Sequence, residues 1–396
     1  MPVAHQDNHL TAGIRTTFGS LATAEFVPDT DDLVIERMRA AGVITLGKTN
    51  IPEFAAGGHT FNEVFGVTRN PYDRSVTAGG SSGGAAAALA AGMHALADGN
   101  DMGGSLRLPA GYCNVIGLRP SAGRVPVYPA ADGYAGLSVQ GPMARTVDDV
   151  ALLLSVMAGP DRRSPISLEE PARRSPTSPP AVWPDAGSPF HRPRRPDRDR
   201  DEIAGMVGSA AAVCETAGAQ VRGCLPRFRR GRVFPDSAGL AVRGHPGSLD
   251  EHSALVRASL YENMLQGRTL TGPQVGRAAV LRPALVQRMR EFLEFYDALI
   301  LPVAPVRAFD AESSTRRGRR AATAGLSRPD GRGLSRHRHR PFGDQHAGRV
   351  HRRRHALGVQ FVGRHRGERD LLGLARVRIG HDLRVDTPTS ELTSTV

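Results

Sequence analysis

Ala78-Gly79-Gly80-Ser81-Ser82-Gly83-Gly84 and, after an alanine-rich stretch, Asp101-Met102-Gly103-Gly104-Ser105-Leu106-Arg107-Leu108-Pro109-Ala110 are the two segments on which the reading of this chain turns. A serine hydroxyl is a weak nucleophile unless a base takes its proton and donors await the oxyanion it creates. Met102, Gly103, Gly104 and Ser105 offer consecutive backbone N–H groups, and the two glycines let those groups approach a carbonyl oxygen closely. Ser105 is therefore a candidate nucleophile with oxyanion donors in its own loop. Ser81 and Ser82 occupy a second glycine-rich turn ahead of a predicted helix, Gly83 to Ala91, where they can relay a proton or cap the helix. A phosphate-binding loop is the competing reading of the first segment. No Gly-Lys-Ser/Thr follows it, which excludes the mononucleotide form.

Further segments flank these loops. Gly47-Lys48-Thr49-Asn50-Ile51-Pro52-Glu53-Phe54, Asn62-Glu63-Val64-Phe65-Gly66 and Asn70-Pro71-Tyr72 precede them. Gly117-Leu118-Arg119-Pro120-Ser121, Gly123-Arg124-Val125-Pro126 and Gly141-Pro142-Met143-Ala144-Arg145-Thr146-Val147-Asp148-Asp149 follow. Together they closely resemble the amidase signature family, with residues 1–171 as the well-matched core. The resemblance implies a three-layer α/β/α fold with a mixed, mostly parallel sheet, and a Ser, cis-Ser, Lys triad. Ser105 matches the nucleophile, and Ser81 the bridging serine whose peptide bond is cis. Ser82 supports the relay, while Asp101 and Arg107 match positions that brace the nucleophile loop.

The third triad member departs from the family. Its lysine lies immediately before an acidic residue and a Thr/Gly-rich run, present here as Asp7, Thr11, Gly13, Thr16, Thr17, Gly19 and Ser20. The lysine position therefore falls on Gln6, an amide with no pKa near 7. Loss of a positioned base costs on the order of 10²–10⁴ in rate, so the chain is expected to be nearly inactive. Two other residues could serve as the base. His5 carries an imidazole, the side-chain type suited to proton transfer near pH 7, but neighbouring strand residues face opposite ways. Lys48, the only lysine in the chain, lies in a Gly-Lys-Thr-Asn setting that the family uses as scaffold.

Composition divides the chain. Residues 1–160 carry 10 basic and 14 acidic side chains, and the remainder 41 and 25, so the net charge of +12 comes wholly from the second part. Arginine clusters at 192–200 and 316–354 could neutralise polyanions. They lack interleaved aromatics, zinc-ligand spacing and amphipathic period, so nucleic acid is not the expected partner. The divergent Arg/Pro-rich stretches 172–200, 222–250 and 311–355 read either as genuine basic insertions or as GC-rich codons translated out of frame.

Between these stretches lie family-like islands. One is a predicted helix Asp201 to Val221, closed by Gly218 and a short strand. Others are a helix Val286 to Phe295 running into a strand Ala298 to Val303, a strand Gly358 to Gly363, and a helix at Asp370-Leu371-Leu372. In the first part, helix Asp31 to Ala41, strand Val43 to Leu46 and helix Thr146 to Met157, with Thr146 and Asp149 as its capping box, alternate as in a parallel sheet covered on both faces. A single amidase domain over 1–396 is expected. Family members usually carry several helices before the lysine strand, so the amino end reads as truncated.

No signal peptide or long apolar run is evident, which predicts a cytoplasmic protein without membrane contact. Cys113, Cys214 and Cys224 are odd in number and widely spaced, and the 14 histidines lack ligand spacing, so neither disulfides, metal nor cofactor is expected. The leading function is hydrolysis of a small-molecule carboxylic amide through an acyl-enzyme on Ser105. Two others stay open: the glutaminase-type A subunit of a tRNA-dependent amidotransferase, and a non-catalytic polyanion-binding pseudoenzyme. A homodimer stays open, since by analogy with the family a truncated amino end would remove a common dimer surface.

Overall fold

Period-two alternation along the central strands sorts the core into two layers. The computed structural model describes residues 1–170, 198–223, 226, 253–313 and 358–382. The arginine-rich stretches 172–200, 222–250 and 311–355 lie almost wholly outside these residues, as does Cys224. Strands β1 (Pro2–Gln6), β2 (Ile44–Thr49), β3 (Phe61–Asn62), β4 (Gly66–Val67), β5 (Arg69–Asn70), β6 (Asp73–Thr77), β7 (Leu96–Asp101), β8 (Ile116–Gly117), β9 (Val139–Ala144), β10 (Ala298–Pro302) and β11 (Val359–Gly363) are found. The helices are α1 (Leu33–Ala40), α2 (Gly83–Ala90), α3 (Arg107–Tyr112), α4 (Val147–Met157), α5 (Arg198–Thr216), α6 (Ala258–Arg268), α7 (Gly272–Phe295) and α8 (Glu368–Asp382).

Five strands form the main sheet in the order β2-β1-β7-β9-β8. β1 runs parallel to β2 and β7, whereas β9 runs antiparallel to both β7 and β8. Four strands thus share one direction and β9 opposes them, giving the mixed, mostly parallel sheet that the resemblance implies. Val3, Leu96 and Ala144 point to a layer built by α1, α4 and α8, with Ile35, Met38, Val150, Leu153 and Met157 at its centre. Their strand neighbours Ala97 and Met143 point the other way, onto Ala85, Ala86, Leu89, Leu106 and Ala110 of the α2–α3 layer. The three layers follow from that split.

Local signals explain most boundaries. Thr146 caps α4: its hydroxyl accepts the Asp149 N–H at 3.1 Å and donates to the Asp149 carboxylate at 2.7 Å. α1 ends at Gly42, whose φ of +82° suits a residue without Cβ. Two expectations need correction. The helix read as Val286 to Phe295 begins at Gly272, because Thr271 and Gln274 form a capping box and a proline stands in the first turn. Pro283 and the glycines had masked its first half. α5 ends at Thr216, before Gly218 (φ +86°), and residues 219–222 carry no strand, Gly223 alone standing in a β-bridge beside residues outside those described.

The described late islands fold onto the core. β10 and β11 pair antiparallel from Ala298↔Gly363 to Pro302↔Val359. Glu368 of α8 accepts the Ser121 N–H at 2.7 Å and pairs with Arg124 at 3.1 Å. No helix among the described residues is long and apolar enough to cross a membrane.

Asp32 immediately precedes α1, makes no capping bond and is buried. Burial pushes its carboxyl up to about 6 from 3.8, against the opposing attraction of His9 and Lys48. Between those pH values the folded chain holds more protons than the unfolded one, so stability falls as pH rises across the window. Asp32→Asn removes the titration. Its advantage over the wild type in melting temperature should therefore grow from pH 4 to pH 7, reflecting roughly 3 kcal/mol at most. A pH-independent offset would contradict this account.

Candidate active site

The Ser105 loop is built around one buried carboxylate. Asp101 ends β7, and its Oδ1 accepts the Gly104 N–H at 2.9 Å while Oδ2 accepts the Leu106 N–H at 3.2 Å. These donors lie one on each side of Ser105. Arg107 donates from Nε and Nη2 to the same carboxylate at 2.9 and 3.0 Å, and Arg119 Nη1 adds a bond of 3.0 Å. Arg119 also donates to the Asp101 carbonyl, and its Nη2 to Leu137 O at 2.8 Å. Burial raises the Asp101 carboxyl, but Arg107, Arg119 and the Gly104 N–H outweigh it and hold the group below the ordinary carboxylate value.

Of the four residues expected to offer oxyanion donors, Gly104 has its N–H turned onto Asp101. The N–H groups of Gly103 and Ser105 make no hydrogen bond among the described residues. Gly103 is exposed, whereas Met102 and Ser105 are half-buried in the same turn.

The two serine loops meet directly, since the Ser82 N–H donates to the Ser105 carbonyl at 3.2 Å. Ser81 and Ser82 are buried, and the Gly80–Ser81 peptide bond is cis, as the resemblance implies. Gln6 ends β1 on the same side of the sheet. The Asn100 N–H donates to Gln6 Oε1 at 3.0 Å, which identifies that atom as the oxygen. Ser82 Oγ donates to the same oxygen at 3.0 Å. Gln6 Nε2 donates to Asn100 Oδ1 at 3.3 Å, and Ser81 Oγ donates to that atom at 3.5 Å. Asn100 thus couples Gln6 to Ser81, although no hydrogen bond joins Ser81 Oγ to Ser105. A Cβ at Gly99 would stand 2.6 Å from Ser82 Oγ and 3.0 Å from Gln6 Oε1, so glycine is what lets the strand pass under this cluster.

The opposite face of the same strands holds a separate ionic cluster. His5 Nδ1 donates to Asp98 Oδ2 at 2.5 Å, His9 Nδ1 to Asp98 Oδ1 at 3.0 Å, and the Gln6 backbone N–H to Oδ1 at 2.8 Å. Asp98 is wholly buried. Burial raises its carboxyl, yet the two imidazoles hold it well below the ordinary value. Register pairs His5 with Lys48 and Gln6 with Thr49, so Lys48 shares the face of His5. Its Nζ donates to His9 O at 2.5 Å and Thr11 Oγ1 at 2.9 Å, and burial lowers it to about 8. Neither His5 nor Lys48 faces the serines.

Sequence reasoning missed Asn100, Arg119 and Gln360. Asn100 and Arg119 stand within quoted motifs or beside them, but only the fold turns them toward Gln6 and Asp101. Gln360 Oε1 accepts from Arg107 Nη1 at 2.7 Å across 253 positions of chain. Among the described residues no group of three or more His, Cys, Asp or Glu side chains could hold a metal ion.

Residues 1–223 match the family model described as Amidase. The A subunit of the glutamyl-tRNA(Gln) amidotransferase of Burkholderia pseudomallei (strain 668) is 47% identical over 169 residues, 43% of this chain and 34% of that protein. An acylamidase of Rhodococcus erythropolis is 34% identical over 318 residues, 76% of this chain and 64% of that one. The chain therefore spans about a third of the first relative and under two thirds of the second. The solved structure of 6-aminohexanoate cyclic dimer hydrolase complexed with substrate is 26% identical, with a TM-score of 0.79 over 98% of this chain and 86% of that one. The family match takes in more than half of the chain, including β1, both serine loops and Asp101, and the protein belongs to the amidase signature family.

Proposed function

We propose that this chain is an amidase shaped to cleave a small-molecule carboxylic amide through an acyl-enzyme on Ser105, and that Gln6 makes it a slow one. The observation that carries the reading is the fastening of the Gly104 and Leu106 N–H groups to Asp101. It fixes the backbone on both sides of Ser105 and leaves the Gly103 and Ser105 N–H groups for a developing oxyanion. In the reaction Ser105 Oγ bonds to the carbonyl carbon as its proton passes to Ser81, and the π pair moves onto oxygen. That pair re-forms the carbonyl as the C–N bond breaks, the amine leaves with a proton from Ser81, and water then hydrolyses the ester, releasing the acid and returning a proton to Ser105.

Proton transfer is the weak step. Ser81 can take the Ser105 proton only by passing on its own, and its hydroxyl donates to Asn100 Oδ1. Beyond it, Gln6 Oε1 already accepts from Ser82 and Asn100. Both are neutral amides without a pKa near 7, so the relay ends where a base is needed.

Gln6→Lys supplies an amine beside Ser82 and Asn100. It should raise kcat/KM for a simple acyl anilide by about 10²-fold or more, with activity abolished by adding Ser105→Ala. Equal rates in the wild type and Gln6→Lys, with both folded, would refute the impairment. The same variant distinguishes the amidotransferase reading, which expects hydrolysis of glutamine in preference to the anilide.

Asp101→Asn places an NH₂ among five N–H donors. Urea unfolding should show a loss of about 3 kcal/mol, and a fluorophosphonate should label Ser105 more slowly at a pH and temperature where the variant is still folded. Unchanged stability and labelling would mean that the carboxylate does not hold the loop.

A further inference from the structure

We infer that Gln360 is a positioning residue for the nucleophile loop, acting on Ser105 through Arg107 and Asp101. This rests on the hydrolase reading for its consequence in catalysis, but not for its structural content. Gln360 lies in β11, within the late Gly358 to Gly363 motif, to which the proposed reaction gives no part. Arg107 is a donor-only group, so the atom it meets at 2.7 Å is the Gln360 oxygen. The amide nitrogen then donates to Pro302 O at 3.3 Å, at the end of β10. The side chain is thereby held at both ends, between the β10–β11 ribbon and α3.

A second contact fixes the same pair of elements. Arg107 and Gly111 are four apart and share one face of α3. Gln360 and Gly358 are two apart and share one face of the β11 segment. A Cβ on Gly358 would come within 2.4 Å of Gly111 Cα, and one on Gly111 within 3.0 Å of Gly358 Cα. The helix therefore rests backbone to backbone on the strand, and Arg107 reaches Gln360 at a fixed offset. With Nη1 held there, Nε and Nη2 are aimed at the two Asp101 oxygens, and those oxygens hold the Gly104 and Leu106 N–H groups. Without Gln360, Arg107 keeps its charge but loses the neighbour that orients its guanidinium plane. The donors flanking Ser105 then lose a constraint.

The test uses the chain as it stands. Amide hydrogen exchange at Gly104 and Leu106 is compared in the wild type, Gln360→Leu and Gln360→Glu, with β7 and β9 amides as internal reference. The expected result is exchange faster by about tenfold at the two loop amides in Gln360→Leu, unchanged reference amides, and recovery in Gln360→Glu, which keeps an acceptor for Arg107. Should Gln360→Leu not fold, Gln360→Asn withdraws the amide by one methylene and carries the same expectation. Unchanged loop exchange, or an equal rise across the reference strands, overturns the proposal. In a Gln6→Lys background, Gln360→Leu should lower kcat by about tenfold with little change in KM. A Gln6→Lys protein without activity would count against the hydrolase reading and leave the exchange result to decide on Gln360.

Discussion

A single buried carboxylate organises the centre of this molecule. Asp101 takes five N–H donors from its own loop, from α3 and from Arg119, and none of its solvation is left to water. An ionised carboxylate is tolerated in such a place only when its oxygens are fully paired. The consequence is mutual: the arginines need the carboxylate as much as it needs them. β7, the serine loop and α3 are thereby tied together, and the ribbon of β10 and β11 is tied to them through Gln360. The order of these segments in the chain does not suggest the connection, since Arg107 and Gln360 lie 253 positions apart.

The alternation of β1 has a comparable reach. Val3 and His5 face α1 and α4, and Gln6 faces the serines, so two polar clusters stand back to back with one strand between them. The Asp98 cluster, with His5, His9 and Lys48, holds the ionisable side chains of this region. The Gln6 cluster holds only hydroxyls and amides. The two are linked through the Gln6 backbone, whose N–H donates to Asp98 Oδ1 and whose carbonyl accepts the His9 N–H at 2.9 Å, and neither bond carries a side-chain proton toward Ser81.

The fold was legible where residue pattern and local chemistry agree. Thr146 and Asp149 announce the start of α4, the alanine run after Ser82 announces α2, and the Gly-Gly-Ser spacing marks the turn that carries Ser105. Gln6 was also readable, because the Thr/Gly-rich run after Asp7 fixes its position. The first half of α7 was hidden, since Gly272, Gly276 and Pro283 are helix breakers by propensity, whereas a capping box at Thr271 and packing decide the outcome. The spent N–H of Gly104 was not readable either. Which loop amide turns inward depends on where Asp101 sits at the end of β7, a tertiary fact. Asn100, Arg119 and Gln360 escaped for the same reason: each acts through a partner that only the folded chain brings near.

The central claim is that Ser105 stands in an intact nucleophile loop whose proton relay has no base. Its most direct test is an intact-mass time course of the wild-type chain with an activated nitrophenyl ester, followed by mapping of the modified peptide. The account predicts an acyl adduct on Ser105 that forms slowly and then persists, because deacylation lacks the same base. Rapid ester turnover without a lasting adduct, or an adduct on any residue other than Ser105, would contradict it.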